Sequence, residues 1–479
     1  MAEIHRWQHQ YLGATIFPKT LSAVEFRAFF TFSEDELAAM RKRFRTNLRV
    51  AGALHLGFLK MTGNLLEETQ VIPSKLLRHI SAQLDLPALT IASLKAIYTR
   101  PKTLYEHQWW AMETLGFSKA PPELESGLLP FLSQEARYAA SVDALVERAK
   151  EWLYQRRYLT PADRVIRDIA RRAMAESEGT LFRLFRKQIP ATEFRRIESS
   201  VLRTHEKARR SVLEWLQQPP RKKSINALRE RIERIEFIKS LGIHKLDLDS
   251  IAIEKIRSYA GQLQGIRPAK YKELKDPTRT LRLLCFLKMV LMQASDAAIM
   301  LGGRLTTRIV RTAYDKAKLT EAEGALSLAK ALEQVFERVD DPALDADEFR
   351  AYVRALRESQ KPRQFPTRAA AARWILSEPN NQLRSLLNEM QKLDIEAEPH
   401  DPGKERIEYL KNLYEQRIVA LPATPTVHTP SSWKDIVEGE DRERALRGLE
   451  AATLIGLRKS LRSGAVYVDH SEKFRGRHR

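Results

Sequence analysis

Cysteine and long apolar runs are the scarcest features of this 479-residue chain. Its one cysteine, Cys285, excludes a disulfide framework and a thiolate zinc site within the chain, and indicates a reducing compartment. We find no run of about 18 consecutive apolar residues, and the amino terminus has no apolar signal-peptide core. A cytoplasmic protein that does not span a membrane is therefore expected.

Motifs for several common chemistries are also missing. The sequence has no GxxxxGK[ST] loop, no GxGxxG after a strand, no HExxH and no GxSxG. One acidic cluster lacks the glycine and the spacing of a calcium loop, and Pro342 within it favours a helix start. Its members are Asp340, Asp341, Asp345, Asp347 and Glu348. We therefore predict no metal site and no catalytic centre, because two-metal nucleases need carboxylates that converge from strands.

The residues that are present indicate a folded, helical protein. Hydrophobic residues make up 43% of the chain and charged residues 30%, with only 19 Gly and 22 Pro. Leu37, Met40 and Phe44 recur at helical spacing, and Ser33 with Glu36 predicts a capping box. Helices are also predicted over 142–154, 225–241 and 325–339, against one short strand at 465–468. The predicted fold class is all-α and multi-domain.

Proline-rich breaks suggest how the chain divides. They lie at 121–122, 219–220, 399–403 and 422–430. The predicted segments are a helical DNA-binding domain with a helix-turn-helix-like unit (1–120), a second basic helical module (121–220), a helical scaffold or dimerisation region (221–420), a Pro/Thr linker (421–434) and a carboxyl-terminal segment (435–479).

Positive charge is the strongest functional signal. The chain has 81 Lys and Arg against 61 Asp and Glu, a formal charge of +20. Nucleic acid is the expected partner, since neutralising phosphates releases condensed counterions. The alternative is a basic surface that binds nothing.

The length pattern of a helix-turn-helix lies between residues 72 and 98. A helix is predicted over 73–83, a turn over 84–86 and a second helix over 87–98, which could enter a major groove. Lys95, Arg100 and Lys102 follow at its end, where they could reach phosphates. The alternative is an ordinary pair of helices. The neighbouring Trp109 and Trp110 are predicted to be core residues.

Other basic blocks lie at wide intervals and suit an extended duplex. The first, at a helix end where the helix dipole also favours cations, is Arg41, Lys42, Arg43, Arg45 and Arg49. A second includes Arg156, Arg157, Arg164 and Arg171; a third includes Arg221, Lys222 and Lys223; and a fourth includes Lys270, Lys272 and Arg279. The alternative is that some of these pair with acids on neighbouring helices.

Three stretches resemble transposases of the Tn-three family, the enzymes of replicative, cointegrate-forming transposons. The first runs from Arg100 to His107 and continues through Leu115-Gly116-Phe117, with Leu104 where the family pattern has a second Arg. The second comprises Leu213, Trp215, Leu216 and Pro219-Pro220, then Leu241-Gly242-Ile243 and the segment 279–287. The third is 457–468, with Ser471, Phe474 and Arg475.

The resemblance implies a division of labour. The family's catalytic domain is RNase H-like, with an Asp-Asp-Glu triad that binds magnesium. None of the triad maps onto this chain, so 435–479 would be a connector to a missing catalytic domain, and no catalysis or cofactor is expected from this chain alone. It would bind terminal inverted repeats near the bacterial nucleoid. The predicted partners are double-stranded DNA and either a second copy of the chain or a full-length transposase, which a truncated chain would inhibit; the alternative is a helical protein-interaction scaffold.

Overall fold

Helices form nearly all of the regular structure in the computed structural model, which describes residues 8–18, 21–67, 72–249, 251–339, 341, 345–359, 365–379, 381–398 and 401–475. The all-α prediction is confirmed, with only two short strands among these residues. The chain divides into two units, the first formed by Met1–Phe194, Asp247–Leu263 and Glu273–Leu283, and the second by Arg195–Leu246, Gln264–Lys272 and Leu284–Arg479. The five segments predicted from the sequence stay a prediction.

Unit 1 begins with six helices around one apolar core. They are α1 (Ala23–Phe30), α2 (Glu34–Arg43), α3 (Arg49–Thr62), α4 (Ser74–Gln83), α5 (Ile91–Ile97) and α6 (Pro101–Leu115). The predicted capping box starts α2, since Glu36 N donates to Ser33 Oγ and Ser33 N to Glu36 Oε2. Helix α3 is apolar on nearly every face and is buried along its length, as expected of a central core helix. Gly57 of α3 is needed there, because a Cβ would lie 2.2 Å from the Phe30 ring.

A second core of unit 1 follows along the chain. It lies among α7 (Leu124–Glu135), α8 (Val142–Gln155) and α9 (Asp163–Gln188), with Leu128, Leu145 and Ile166 fully buried. The sequence placed α8 correctly because Ser141 caps it and its apolar residues recur at helical spacing. Unit 1 also contains α13 (Ile253–Leu263).

Two further helices belong partly to each unit. They are α10 (Ala191–Leu202) and α15 (Thr278–Val339). The sequence predicted a helix over only 325–339, and this bound was wrong. Helix α15 has 62 residues. Neither a proline nor a polar turn interrupts it. The Gly302-Gly303 pair does not end it either, because the helix is buried both before and after these glycines.

One stretch of α15 bears on the expectation that the chain does not span a membrane. By length and composition alone, α15 could cross a membrane, with a mean hydropathy of 1.6 over an 18-residue window. That window is 67% buried inside the structure, as in the core helix of a soluble protein.

In unit 2, α21 (Arg442–Ser463) packs against four helices: α17 (Arg368–Leu376), α18 (Asn381–Met390), α19 (Pro402–Glu415) and α20 (Lys434–Val437). The others are α11 (Val212–Gln217), α12 (Ile225–Ser240), α14 (Pro268–Lys272) and α16 (Ala346–Ser359). The carboxylate of Glu450 in α21 is buried, but it accepts from Arg384 Nε at 2.9 Å and from the Tyr414 hydroxyl at 2.8 Å. A buried charge is tolerated when it is paired in this way.

A two-stranded antiparallel ribbon closes the end of the described chain. Strand β1 (Ile395–Ala397) pairs with β2 (Val466–Val468), with Ile395 opposite Val468. The predicted strand at 465–468 is confirmed. Gly464 allows it, since its φ of 82° ends α21 in the left-handed conformation and turns the chain back.

The second helix of the helix-turn-helix differs from its prediction. Helix α5 starts at Ile91 instead of residue 87, because the Thr90 side chain accepts from Ser93 N and caps it there. Asp85 takes the left-handed conformation at a φ of 54°, and Ser81 accepts from the amide of Leu86, so 84–90 forms a wider connection than the predicted turn. The helix predicted to enter a major groove therefore has seven residues instead of the twelve predicted.

The acidic cluster lies partly outside the described residues, which do not include Asp340 and Pro342. Of the rest, Asp345 Oδ2 accepts from Asp347 N at the start of α16. Among the residues described, no three His, Cys, Asp or Glu side chains converge as metal ligands do.

Candidate DNA-binding surface

The ends of three helices meet on one side of unit 1. The Phe44 ring follows α2 and packs edge-on against His107 of α6, with ring centroids 4.7 Å apart, and against Trp110 at 4.9 Å. Just after α5, the Tyr98 hydroxyl lies 3.0 Å from Nδ1 of His107. The end of α2, the end of α5 and the first turns of α6 are therefore neighbours, although they are far apart in the sequence.

This packing brings together two of the basic blocks predicted from the sequence. We define the N-terminal basic surface as Arg41, Lys42, Arg43, Arg45, Lys95, Arg100 and Lys102. All seven side chains are exposed, and none has a carboxylate partner within the described part of the chain. Unpaired cations are available to phosphates at no cost of breaking an existing ion pair.

Arg49 has a different role from the rest of its block. Its Nε donates to Phe44 O at 3.1 Å and its Nη2 to Arg41 O at 3.3 Å. These are carbonyls left free where α2 ends, so the guanidinium caps the helix. Arg49 positions the residues that carry the surface.

An exposed aromatic pair lies beside the surface, and the sequence reasoning missed it. Trp110 is a core residue as predicted, with 7% exposure, but the prediction was wrong for Trp109, which is 53% exposed. Trp109 stacks on Tyr105, 59% exposed and one turn earlier, with ring planes 25° apart. The sequence did contain a signal for this exposed pair. Tyr105 and Trp109 are four residues apart, as are the neighbouring polar residues Lys102 and Glu106, so both pairs lie on adjacent parts of the helix surface.

The arginines of the second basic block have partners within the described part of the chain. Arg171 Nη1 lies 2.9 Å from Asp168 Oδ1, and Arg164 Nε lies 3.9 Å from the other oxygen of that carboxylate. Two neighbours of these arginines pair likewise, Arg167 with Asp163 and Asp143, and Arg172 with Glu125. The remaining members lie over aromatic rings, Arg156 at 4.0 Å from the Trp152 centroid and Arg157 at 5.3 Å from that of Phe117.

The third and fourth blocks belong to different parts of the chain. Arg221, Lys222 and Lys223 are exposed in the connection between α11 and α12 of unit 2, without an ion pair to any described residue. Lys270 and Lys272 are exposed on α14, also in unit 2, whereas Arg279 is half-buried near the start of α15 in unit 1. The fourth block is therefore not one patch on one unit.

Two buried histidines support the N-terminal basic surface. His55 is 2% exposed, and neither ring nitrogen has a hydrogen-bond partner among the described residues. Burial, helped by the charge of His107, lowers the pKa of His55 to about 3. Burial and the charge of Arg43 lower the pKa of His107 to about 4. Both rings are therefore neutral at physiological pH.

These histidines predict that unit 1 is sensitive to acid. In the unfolded chain a histidine binds a proton near its ordinary pKa of 6.5, whereas in the folded chain these rings bind one only near pH 3 to 4. The unfolded state therefore gains protons first as the pH falls. The stability is full above pH 6.5 and decreases as the pH drops below it. Each ring contributes up to about 1.4 kcal/mol per pH unit within that window. We expect urea unfolding of the full chain to show about 4 kcal/mol less stability at pH 5 than at pH 7, about 2 kcal/mol from each ring. His55→Leu should flatten this dependence and His428→Leu should not; an unchanged profile for His55→Leu would contradict the assignment.

Known proteins resemble this chain over most of its length. Residues 8–173 match a sequence family described as a domain of unknown function (DUF4158). The transposase for insertion sequence element IS1071 in transposon Tn5271 of Comamonas testosteroni is 34% identical over 478 residues, which cover 99% of this chain and 48% of that protein. The transposase for transposon Tn2501 of Escherichia coli is 23% identical over 92% of this chain and 45% of that protein. The transposase for transposon Tn501 of Pseudomonas aeruginosa is 22% identical over 93% and 46%.

The matches extend along almost the whole chain in each case. The chain spans about half the length of the curated relatives it matches. The residues that carry the family resemblance lie at structured positions: the first stretch forms α6 and the third forms the end of α21 with β2. The chain belongs to the Tn-three family of transposases.

Proposed function

We propose that this chain binds the terminal inverted repeats of its transposon, as the DNA-binding part of a transposase for replicative transposition. One observation carries the proposal. Two basic blocks and an aromatic pair meet on α2, α5 and α6, and the cations there are exposed and unpaired. Helix α5, with Lys95 on its exposed side, is the candidate for reading base edges, and Arg100 and Lys102 for holding phosphates.

The catalytic step of transposition is assigned to other residues than these. The surface holds cations and aromatic rings, which bind and position DNA but do not supply the carboxylates that would hold magnesium. We propose that a catalytic domain with bound magnesium, in a longer protein or a partner, cuts the ends that this chain grips. A chain acting alone would then compete for the ends and inhibit transposition.

The proposal is tested by comparing two duplexes of equal length and composition. One carries the inverted repeat and the other a scrambled sequence, and fluorescence anisotropy gives the affinity of the full chain for each. We expect the repeat to bind more tightly by a factor on the order of 1,000 at physiological salt. Equal affinities would contradict sequence-specific binding and leave only a basic surface.

A second candidate function, protein interaction, is favoured by the end of α15. Apolar residues recur there at heptad spacing: Ala325, Leu328, Leu332, Val335 and Val339. Of these, Leu328, Leu332 and Val339 are 47–57% exposed. A heptad stripe in water is typical of a helix that packs against another helix. We propose that this stripe forms the dimerisation region predicted within 221–420.

The stripe predicts self-association that depends on its apolar residues. Leu328→Glu with Leu332→Glu should convert a concentration-dependent dimer to monomer in sedimentation velocity, because charge cannot be buried in such a seam. Ser327→Glu with Lys330→Glu on the same helix is the control. A wild-type chain that is monomeric at all concentrations would argue against the stripe as a self-interface.

A further inference from the structure

A groove of about 320 Å³ in unit 2 is accounted for neither by the basic blocks of the sequence nor by the N-terminal basic surface. It lies between the middle of α15 and the end of α21. Its floor is apolar and includes Met300 and Phe474, and three arginines line it: Arg304, Arg458 and Arg462. The two arginines of α21 belong to the third stretch of family resemblance, for which the sequence indicated only a connector.

The groove is built by specific packing. The Arg458 stem passes over Gly303 of α15, where a Cβ would lie 3.9 Å from Arg458 Cγ. On the other side, Asp296 fixes the turn that carries Phe474. Its Oδ1 accepts from the Ser471 hydroxyl, from Glu472 N at 3.1 Å and from Lys473 N at 3.2 Å. Phe474 N then donates to Ser471 Oγ at 2.7 Å.

The charge in the groove is uncompensated. Arg304 and Arg462 are exposed and Arg458 is half-buried, and none of the three has a carboxylate partner among the residues that the structure describes. The nearby Asp296 carboxylate is buried and occupied by the donors of the turn. Three guanidinium groups along one groove repel each other unless an anion lies among them.

The chemistry of the lining favours phosphodiester over other anions. A guanidinium fork matches two phosphate oxygens, and an apolar floor offers contact area to the carbon face of a deoxyribose. The carboxylates of an acidic protein segment are not joined by sugars that could cover this apolar floor. The groove is open to solvent on one side, so a continuous strand could pass along it.

We propose that Arg304, Arg458 and Arg462 bind the phosphate backbone of DNA, as a second contact separate from the N-terminal basic surface. The inference rests on the proposed DNA-binding function and extends it to unit 2. It gives the segment 435–479 a share in holding DNA besides its connecting role.

The test measures affinity for the inverted-repeat duplex against salt with the full chain. Each phosphate contact contributes about 0.9 to the slope of log affinity on log salt, so Arg304→Gln, Arg458→Gln and Arg462→Gln together should reduce the slope by about 2 to 3. The same positions changed to Lys should keep most of the slope, because the charge remains. Changing the exposed Arg350, Arg354 and Arg357 of α16 to Gln is the matched control and should leave it nearly unchanged.

The outcomes separate this inference from the function on which it rests. A wild-type chain that binds DNA, with a slope that the groove variant does not change, overturns the inference and leaves the function. A wild-type chain that does not bind DNA overturns both. Hydroxyl-radical footprinting gives a second readout that does not depend on affinity: the groove variant should lose protection of a few sugars while the rest of the footprint stays.

Discussion

Replacing four cations of the N-terminal basic surface is expected to remove most DNA binding at physiological salt. With Arg43, Lys95, Arg100 and Lys102 all changed to Gln, up to four phosphate contacts are lost, and the slope of log affinity on log salt should fall by about 3 to 4. The corresponding loss of affinity is on the order of 100-fold or more. The effect is large because these cations are exposed and carry no ion pair to a described residue, so their whole charge faces the ligand.

A control with the same change of net charge distinguishes local contact from general attraction. Arg164, Arg167, Arg171 and Arg172 all lie on α9 and are paired with Asp or Glu. Changing these four to Gln also removes four positive charges, but DNA would have to break their pairs to use them. We expect a change in slope below about 1. Equal effects of the two variants would mean that binding follows net charge, and the N-terminal basic surface would lose its assignment.

Replacing Arg234 with Leu is expected to produce the largest loss of stability in unit 2. This side chain is 1% exposed on α12. Its Nη2 donates to Trp215 O and Gln218 O, both at 3.0 Å, and its Nη1 to Glu230 Oε1 at 3.0 Å. The guanidinium also lies 4.3 Å from the Trp215 ring centroid. Arg234 therefore satisfies the carbonyls at the end of α11, where the Pro219-Pro220 break begins.

The expected loss is about 3 to 5 kcal/mol, since removing one partner of a buried charged network leaves the others unsatisfied. Hydrogen exchange should rise first in α11 and in the connection that carries Arg221, Lys222 and Lys223. Arg234→Lys should recover little, because one ammonium cannot replace the planar fork. Glu236→Ala, exposed on the same helix, should change stability by under about 0.5 kcal/mol. Unchanged exchange in α11 would show that Arg234 does not hold this end.

The two predictions concern two different roles of arginine, binding DNA at the surface and holding buried backbone carbonyls. Arg234 reaches the acid Glu230 on its own helix. Arg231 instead donates to the carbonyls of Ala227 and Pro220. A count of basic residues treats arginines that bind backbone, acids or nothing alike. Under the proposed function, only those left without partners are available to DNA.

The sequence by itself determined the elements whose causes are local. Ser33 and Glu36 specify the start of α2 because a capping box is formed by residues three apart. Helix α8, the break at Pro219-Pro220 and the strand after Gly464 could be predicted for the same reason. The all-α class and the resemblance to transposases also followed from the sequence, because helical periodicity and motifs are both patterns in the order of the residues.

Only the tertiary structure decided which basic blocks act together and which are spent on other partners. Arg41 and Lys102 are 61 positions apart, and the packing of Phe44 on His107 brings their helices together. The exposure of Trp109, the capping role of Arg49 and the meeting of Arg304 with Arg458 depend likewise on contacts between distant helices. Helical periodicity states which face of a helix is apolar, but not which neighbour covers it. Charge therefore predicts an acidic partner, and packing decides which cations are exposed and unpaired for it.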